Sequence, residues 1–151
     1  MPLKRTIERA RKDKRQGKSV SSQAGEFVRE EIDNIRHGEH GARSTKQAIA
    51  IGLSEARRAG VKLRPPKRGT VTDRTRKSAE YAYEVGQGKR KPKRRPGASR
   101  AALRALKREP QSTASHQALS RQARSAASQR TAAQRSAAAK KAARTRARRK
   151  R

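Results

Sequence analysis

Ser44-Thr45-Lys46-Gln47-Ala48-Ile49-Ala50-Ile51-Gly52-Leu53-Ser54-Glu55-Ala56 is the stretch that decides the fold. Ser44 to Gln47 has the form of a capping box, in which the Ser44 side chain caps the Gln47 amide and Gln47 reaches back. Ala48, Ile49, Gly52, Leu53 and Ala56 then recur at helical spacing and share one face. Gly60 is placed to end this helix, with Val61 available for the apolar contact that accompanies such an end. Upstream, Ala24, Phe27, Val28, Ile32 and Ile35 repeat at the same period after Ser21 and Ser22, which predicts a helix from about Gln23 to His37, stopped at Gly38. Two amphipathic helices joined by about six residues make a helical hairpin. Ala48, Gly52 and Ala56 are small enough to let Phe27 and the isoleucines approach closely. Phe27, Val28, Ile32, Ile35, Ile49 and Leu53 are the expected core or interface.

The flanks are weaker. Thr6 to Gln16 predicts a short helix capped by Thr6, with Ile7 its one large apolar residue, expected to be marginal and solvent-exposed. The segment 61–69 contains Pro65-Pro66 among basic residues and is expected to be extended. Thr72 or Asp73 caps a third helix running to about Val85, with Gly86 after it and one of Tyr81 and Tyr83 packed on the hairpin. Lys89-Arg90-Lys91-Pro92-Lys93-Arg94-Arg95-Pro96 is a basic linker in which nothing can build a core. Ser99 is expected to cap a short helical stretch holding Leu103 and Leu106. From Gln111 to Arg151 there is no Pro, Gly or acid, and 13 residues are alanine. That composition favours helix, but the cations repel and spread round the whole circumference of a helical wheel.

Charge bounds the function. The 151 residues carry 43 Lys and Arg against 12 Asp and Glu, a net charge of +31. Residues 1–88 hold 21 basic and 11 acidic side chains, whereas residues 89–151 hold 22 basic ones and the single acid Glu109. Such an excess implies a polyanionic partner. Only 30% of the chain is hydrophobic and only three residues are aromatic (Phe27, Tyr81 and Tyr83). The last large apolar residue is Leu119, so the final stretch is expected to be disordered in isolation. There is no cysteine, which excludes disulfides and thiolate metal sites. No apolar run approaches the roughly 18 residues of a membrane span, and the N-terminus lacks the apolar segment of a secretory signal. A cytoplasmic protein is expected.

Arg and Lys in the tail can neutralise phosphates and release counterions without sequence readout. The residues assigned to this contact are Lys89, Arg90, Lys91, Lys93, Arg94, Arg95, Arg121, Arg124, Arg130, Arg135, Lys140, Lys141, Arg144, Arg146, Arg148, Arg149, Lys150 and Arg151. Ala48 to Ser54 also echoes a helix-turn-helix, with Gly52 in the turn. One continuous helix is the simpler reading, because the stretch from Ser54 to Gly60 is short for a recognition helix. His37 and His40 are three apart with only Glu39 nearby, so no metal site is expected. No phosphate loop, paired carboxylates or framed Ser/His/Asp set occurs, and neither catalysis nor a cofactor is expected. Three aromatics cannot make a repeating platform for single-stranded bases.

From Gly25-Glu26-Phe27-Val28-Arg29-Glu30 through Lys46 to Ala56, the chain resembles a family of small, basic bacterial proteins that are mostly uncharacterised. Their core is an acidic amphipathic helix, a His/Gly turn and a Lys-Gln-Ala-Ile-Ala-Ile-x-Leu-Ser-Glu-Ala helix, here over about residues 20–68. The resemblance implies DNA binding where it implies any activity, and no catalytic residues. Separately, Ser136 to Arg151 is similar to the linker-histone-like tails of bacterial nucleoid proteins.

The expected protein is all-α: a small helical hairpin plus a third helix, with a long basic C-terminal tail that is disordered or conditionally helical. Its parts are a basic N-terminal arm (1–19), the helical module (20–88), the Pro-rich linker (89–98) and the Ala/Arg/Lys-rich tail (99–151). The expected function is non-specific, nucleoid-associated DNA binding through the tail, with duplex DNA favoured over RNA. The acidic face of Glu26, Glu30, Glu31 and Asp33 would supply a protein contact or a homodimer interface. Two rivals stand beside it: a ribosome or structured-RNA binder, whose composition would be the same, and, from a different class, a regulatory interaction module acting through the hairpin, for which the tail would be dispensable.

Overall fold

In a computed structural model of the chain, residues 2–93 and 96–149 are described. Among them the fold is all-helical, with seven α-helices and no strand: α1 (Lys4–Arg15), α2 (Val20–Arg36), α3 (Thr45–Arg58), α4 (Asp73–Gly86), α5 (Pro96–Lys107), α6 (His116–Ser128) and α7 (Ala132–Arg149). A 3₁₀ turn spans Ser112–Ala114. Contacts divide the chain into one unit that ends at Ser115 and a second that begins at His116.

The hairpin is α2 against α3. Ser19 caps α2, its hydroxyl accepting from the Ser22 amide. Ser44 caps α3 through the Gln47 amide at 3.2 Å. Gln47 reaches back as a capping box requires, but its Oε1 accepts from the Arg43 amide at 2.8 Å, one residue beyond the cap. At the other end Gly60 takes φ +90°. Its amide donates to Arg57 O, and the Val61 amide donates to Ala56 O, both at 3.1 Å. This pair of bonds satisfies two orphan carbonyls, and Val61 packs into the core as that end predicts.

Phe27, Ile35, Ala48 and Ala56 are fully buried and Ile32 nearly so, while Val28, Ile49 and Leu53 are half-buried. Gly52 explains the close spacing of the two helices. A Cβ there would lie 2.7 Å from Val28 Cα and 3.0 Å from Phe27 O. Backbone meets backbone at this point, and α3 runs unbroken through it, so Gly52 is not the turn of a helix-turn-helix.

α1 corrects the expectation of an exposed helix. Thr6 is 1% exposed, and Ala10 and Asp13 are buried. Ala10 and Ile7 pack with Phe27, Ala24 and Ala56. Thr6 is not the cap; the helix begins after Leu3, with no side-chain cap bond. The apolar signal of α1 is only Ile7 and Ala10, because the face that it buries also holds Thr6 and Asp13, which hydropathy does not score as apolar.

α4 packs on α3 through buried Ala79 and Ala82, while Tyr81 and Tyr83 are both half-buried. Gly86 closes the helix from inside instead of following it, and Gly88 takes the left-handed position at φ +73°. α5 starts at Pro96, so Ser99 lies within the helix and is not its cap. Proline at a first helical position loses no bond that the helix would otherwise make.

The chain then returns to the hairpin, which composition did not foretell. Gly41 N donates to Leu106 O at 2.9 Å and Ala42 N to Pro110 O at 3.2 Å. Arg36 Nε donates to Ala114 O at 2.9 Å, and Thr45 Oγ1 donates to Thr113 O at 2.7 Å. Ala114 is fully buried.

The second unit, expected to be disordered or conditionally helical, is helical over α6 and α7. α7 opens on a reciprocal pair, Gln134 N to Thr131 Oγ1 at 3.2 Å and Thr131 N to Gln134 Oε1 at 3.1 Å. Thr131-Ala132-Ala133-Gln134 is a capping box hidden in low-complexity sequence. α6 contains no buried residue, and the described side chains of α7 are all exposed.

Candidate nucleic-acid interface

The tail presents its cations without competition. Arg121 and Arg124 on α6, Arg130 between the helices, and Arg135, Lys140, Lys141, Arg144 and Arg146 on α7 are all exposed. No acid follows Glu109 in the sequence. Arg135 donates to Arg130 O at 3.0 Å. The α7 cations circle the helix, so no single face is preferred. Such an array fits phosphates approached from any side and offers no fixed geometry for base edges. Arg94, Arg95, Lys150 and Arg151 lie outside the described residues, as do the side chains of Arg148 and Arg149.

The linker cations differ among themselves. Lys89 closes the end of α4, its amide donating to Glu84 O at 2.9 Å. Arg90 pairs with Glu84 at 3.1 Å and lies over the Tyr81 ring, 5.2 Å from its centroid. The Lys93 amide donates to the Tyr81 hydroxyl at 2.7 Å. Lys91 is exposed. The linker is thus pinned to α4 by an aromatic residue, and Arg90 is already partly neutralised.

Residues absent from the sequence-based set emerge on α5. Arg100, Arg104 and Lys107 are exposed and spaced to share one helical face. Their i, i+4, i+7 spacing, within the helical stretch expected after Ser99, is the sequence signal that finds them.

The acidic face of α2 is not an open surface, which corrects that part of the expectation. Glu31 is 2% exposed and Glu30 8%. Glu30 Oε1 accepts from the Leu3 amide at 2.7 Å, so the start of α1 covers it. Glu26 pairs with Arg9 at 3.7 Å and with Arg29 at 3.5 Å. Glu31 Oε2 sits 3.6 Å from His40 Nε2, while its Oε1 is buried without a hydrogen bond. The two histidines diverge: His37 Nδ1 contacts Asp33 O at 2.7 Å.

Burial pushes the Glu31 carboxyl up from 4.5 to about 7, opposed by His40 and aided by Glu55, Glu30 and Glu39. Burial likewise raises Glu55. A carboxyl raised on folding favours the fold while it is protonated, and that contribution fades as pH rises through the folded value. Glu31→Gln is therefore expected to stabilise the protein at pH 8, by roughly 1–3 kcal/mol, with the gain shrinking toward pH 5. Urea melts at the two pH values check this, and an equal effect at both would contradict it.

Residues 5–68 match the model of a family of unknown function (DUF6496). The matched segment covers α1 from its second residue, α2 and α3, and ends before α4. No curated protein and no solved structure matches the chain. Among the described residues no helix is long and apolar enough to cross a membrane.

Proposed function

We propose that the protein is a non-specific DNA-binding, nucleoid-associated protein that neutralises duplex phosphates through the chain beyond Ser115. The observation that carries this reading is the exposure of every described tail cation in a segment with no acid. Burial of Glu30 and Glu31 supports it further, because the folded unit does not turn those carboxylates toward a polyanion. The helices of the tail lack a core, so their helicity gains from any partner that cancels the repulsion among their cations. The preference for duplex DNA over RNA belongs to the same proposal.

A salt titration of the full chain against a duplex DNA and a structured RNA tests it. If about 8 tail cations contact phosphate, log K falls with log salt at a slope of about −7 on duplex. Tighter binding to the RNA at every salt concentration would replace the nucleoid reading with a ribosomal or structured-RNA one. A slope near zero would remove the polyanion reading altogether.

A further inference from the structure

The first unit contains a cleft of about 450 Å³ between the end of α3, the second half of α4 and the first turn of α5. Its lining includes Arg58, Tyr81, Val85, Pro92, Lys93 and Ser99. This size lies in the range of small-ligand sites, about 300–1,000 Å³. The lining has two chemistries. Tyr81, Val85 and Pro92 offer an aromatic and apolar wall. Arg58 and Lys93 are exposed cations at its edge, beside the leading turn of a 12-residue helix, whose first amides lack intrahelical partners. No acid is among the described lining residues.

The aromatic ring is held in place by two neighbours, one of them in the cleft lining. Arg90 lies over it at 5.2 Å and is anchored to Glu84, and the Tyr81 hydroxyl accepts from the Lys93 amide. A fixed ring needs little ordering when a flat ligand arrives, which lowers the cost of binding. A planar uncharged ring joined to a phosphate matches an apolar wall with a cationic rim. In a duplex the bases are stacked and paired, so they cannot enter such a cleft; in a single strand they can.

We propose that the cleft of Arg58, Tyr81 and Lys93 binds one unstacked nucleotide of a single-stranded nucleic acid, with the base on the Tyr81 side and its phosphate on Arg58 and Lys93. This differs from a stacking platform, which the chain has too few aromatics to build, and it does not depend on the tail. It adds a preference for strand ends, gaps or melted segments to a protein whose tail holds duplex phosphates.

The chain has two tyrosines and no tryptophan, so the full-length Tyr83→Phe protein reports on Tyr81 alone by intrinsic fluorescence. The probes are a thymidine oligonucleotide of about ten residues, a mixed-sequence duplex of equal length and thymidine monophosphate, with binding followed separately by anisotropy of end-labelled strands. The single strand is expected to quench Tyr81 saturably, and the duplex to bind without quenching. Arg58→Gln is expected to raise the single-strand Kd about fivefold, in line with losing one phosphate contact, and to leave the duplex Kd within about twofold. Lys93→Gln should act in the same direction. Equal quenching by duplex, or single-strand binding that leaves Tyr81 emission unchanged, overturns the proposal. So does an Arg58→Gln effect that is equal on both probes, or a monophosphate that saturates the cleft as tightly as the strand. Loss of duplex binding alone would count against the tail reading and leave this site standing.

Discussion

Ending the chain at Ser115 is expected to raise the duplex Kd by about a hundredfold or more near 0.1 M salt, and to flatten the salt slope by about five or more. The cut removes 12 of the 43 cations and none of the 12 acids. Each phosphate contact contributes close to one unit of slope, so the loss counts the contacts directly. Ser115 is the right place to cut. A shorter fragment ending near residue 88 would delete the strand of chain that bonds Gly41, Ala42, Arg36 and Thr45, and a fall in affinity could then reflect a damaged hairpin. The truncated protein is expected to keep its helical signal from α1 to α5 and its cooperative melt. If its slope equals that of the full chain, the phosphates are held by the folded unit, and Arg100, Arg104 and Lys107 on α5 become the first residues to substitute.

The second large effect is expected at Gly52. Gly52→Val is expected to destabilise the protein by about 3 kcal/mol or more, a large share of the stability of a chain this size. Even the first carbon of a side chain would sit 2.7 Å from Val28 Cα and 3.0 Å from both Phe27 O and Val28 N. All three are backbone atoms, so no rotamer change relieves the clash, and α2 must move off α3. Gly25 supplies the control. It lies within α2, is exposed and has nothing within 4 Å of its Cβ position. Gly25→Ala is expected to gain about 0.5–1 kcal/mol, since glycine in a helix interior costs about that much relative to alanine. Chemical denaturation of both variants checks the pair. A Gly52→Val protein as stable as the parent would mean that α2 and α3 are not in backbone contact.

The helices of the hairpin were legible because their signals are local. Ser44 and Gln47, the left-handed Gly60 and the apolar face from Phe27 to Ile35 each act within a few residues of the backbone that they shape. Other features were misread for the opposite reason. α1 buries Thr6, Ala10 and Asp13, a face visible only against α2. Glu30 and Glu31 look like solvent residues until Leu3 and His40 come over them. Nothing near Pro110 in the sequence announces that its carbonyl will receive the Ala42 amide. The Thr131–Gln134 box is a local signal of the same kind, embedded in a run of alanine and cations.

The same division holds for function. The tail's chemistry is a property of charge per residue, which needs no particular fold to attract phosphate, so 22 cations against one acid beyond residue 88 already point to a polyanion. The Tyr81 cleft is different. Arg58 and Lys93 lie 35 positions apart in the chain, and only the packing of α4 on α3, with the linker tied back to the Tyr81 hydroxyl, puts them on one cleft. Local backbone chemistry thus determined the helices of the hairpin from sequence alone, and net charge set the class of partner that we propose. Which acids are buried, where the chain after α5 returns and which cations surround an aromatic ring were decided by tertiary structure, because each depends on contacts between residues distant in sequence.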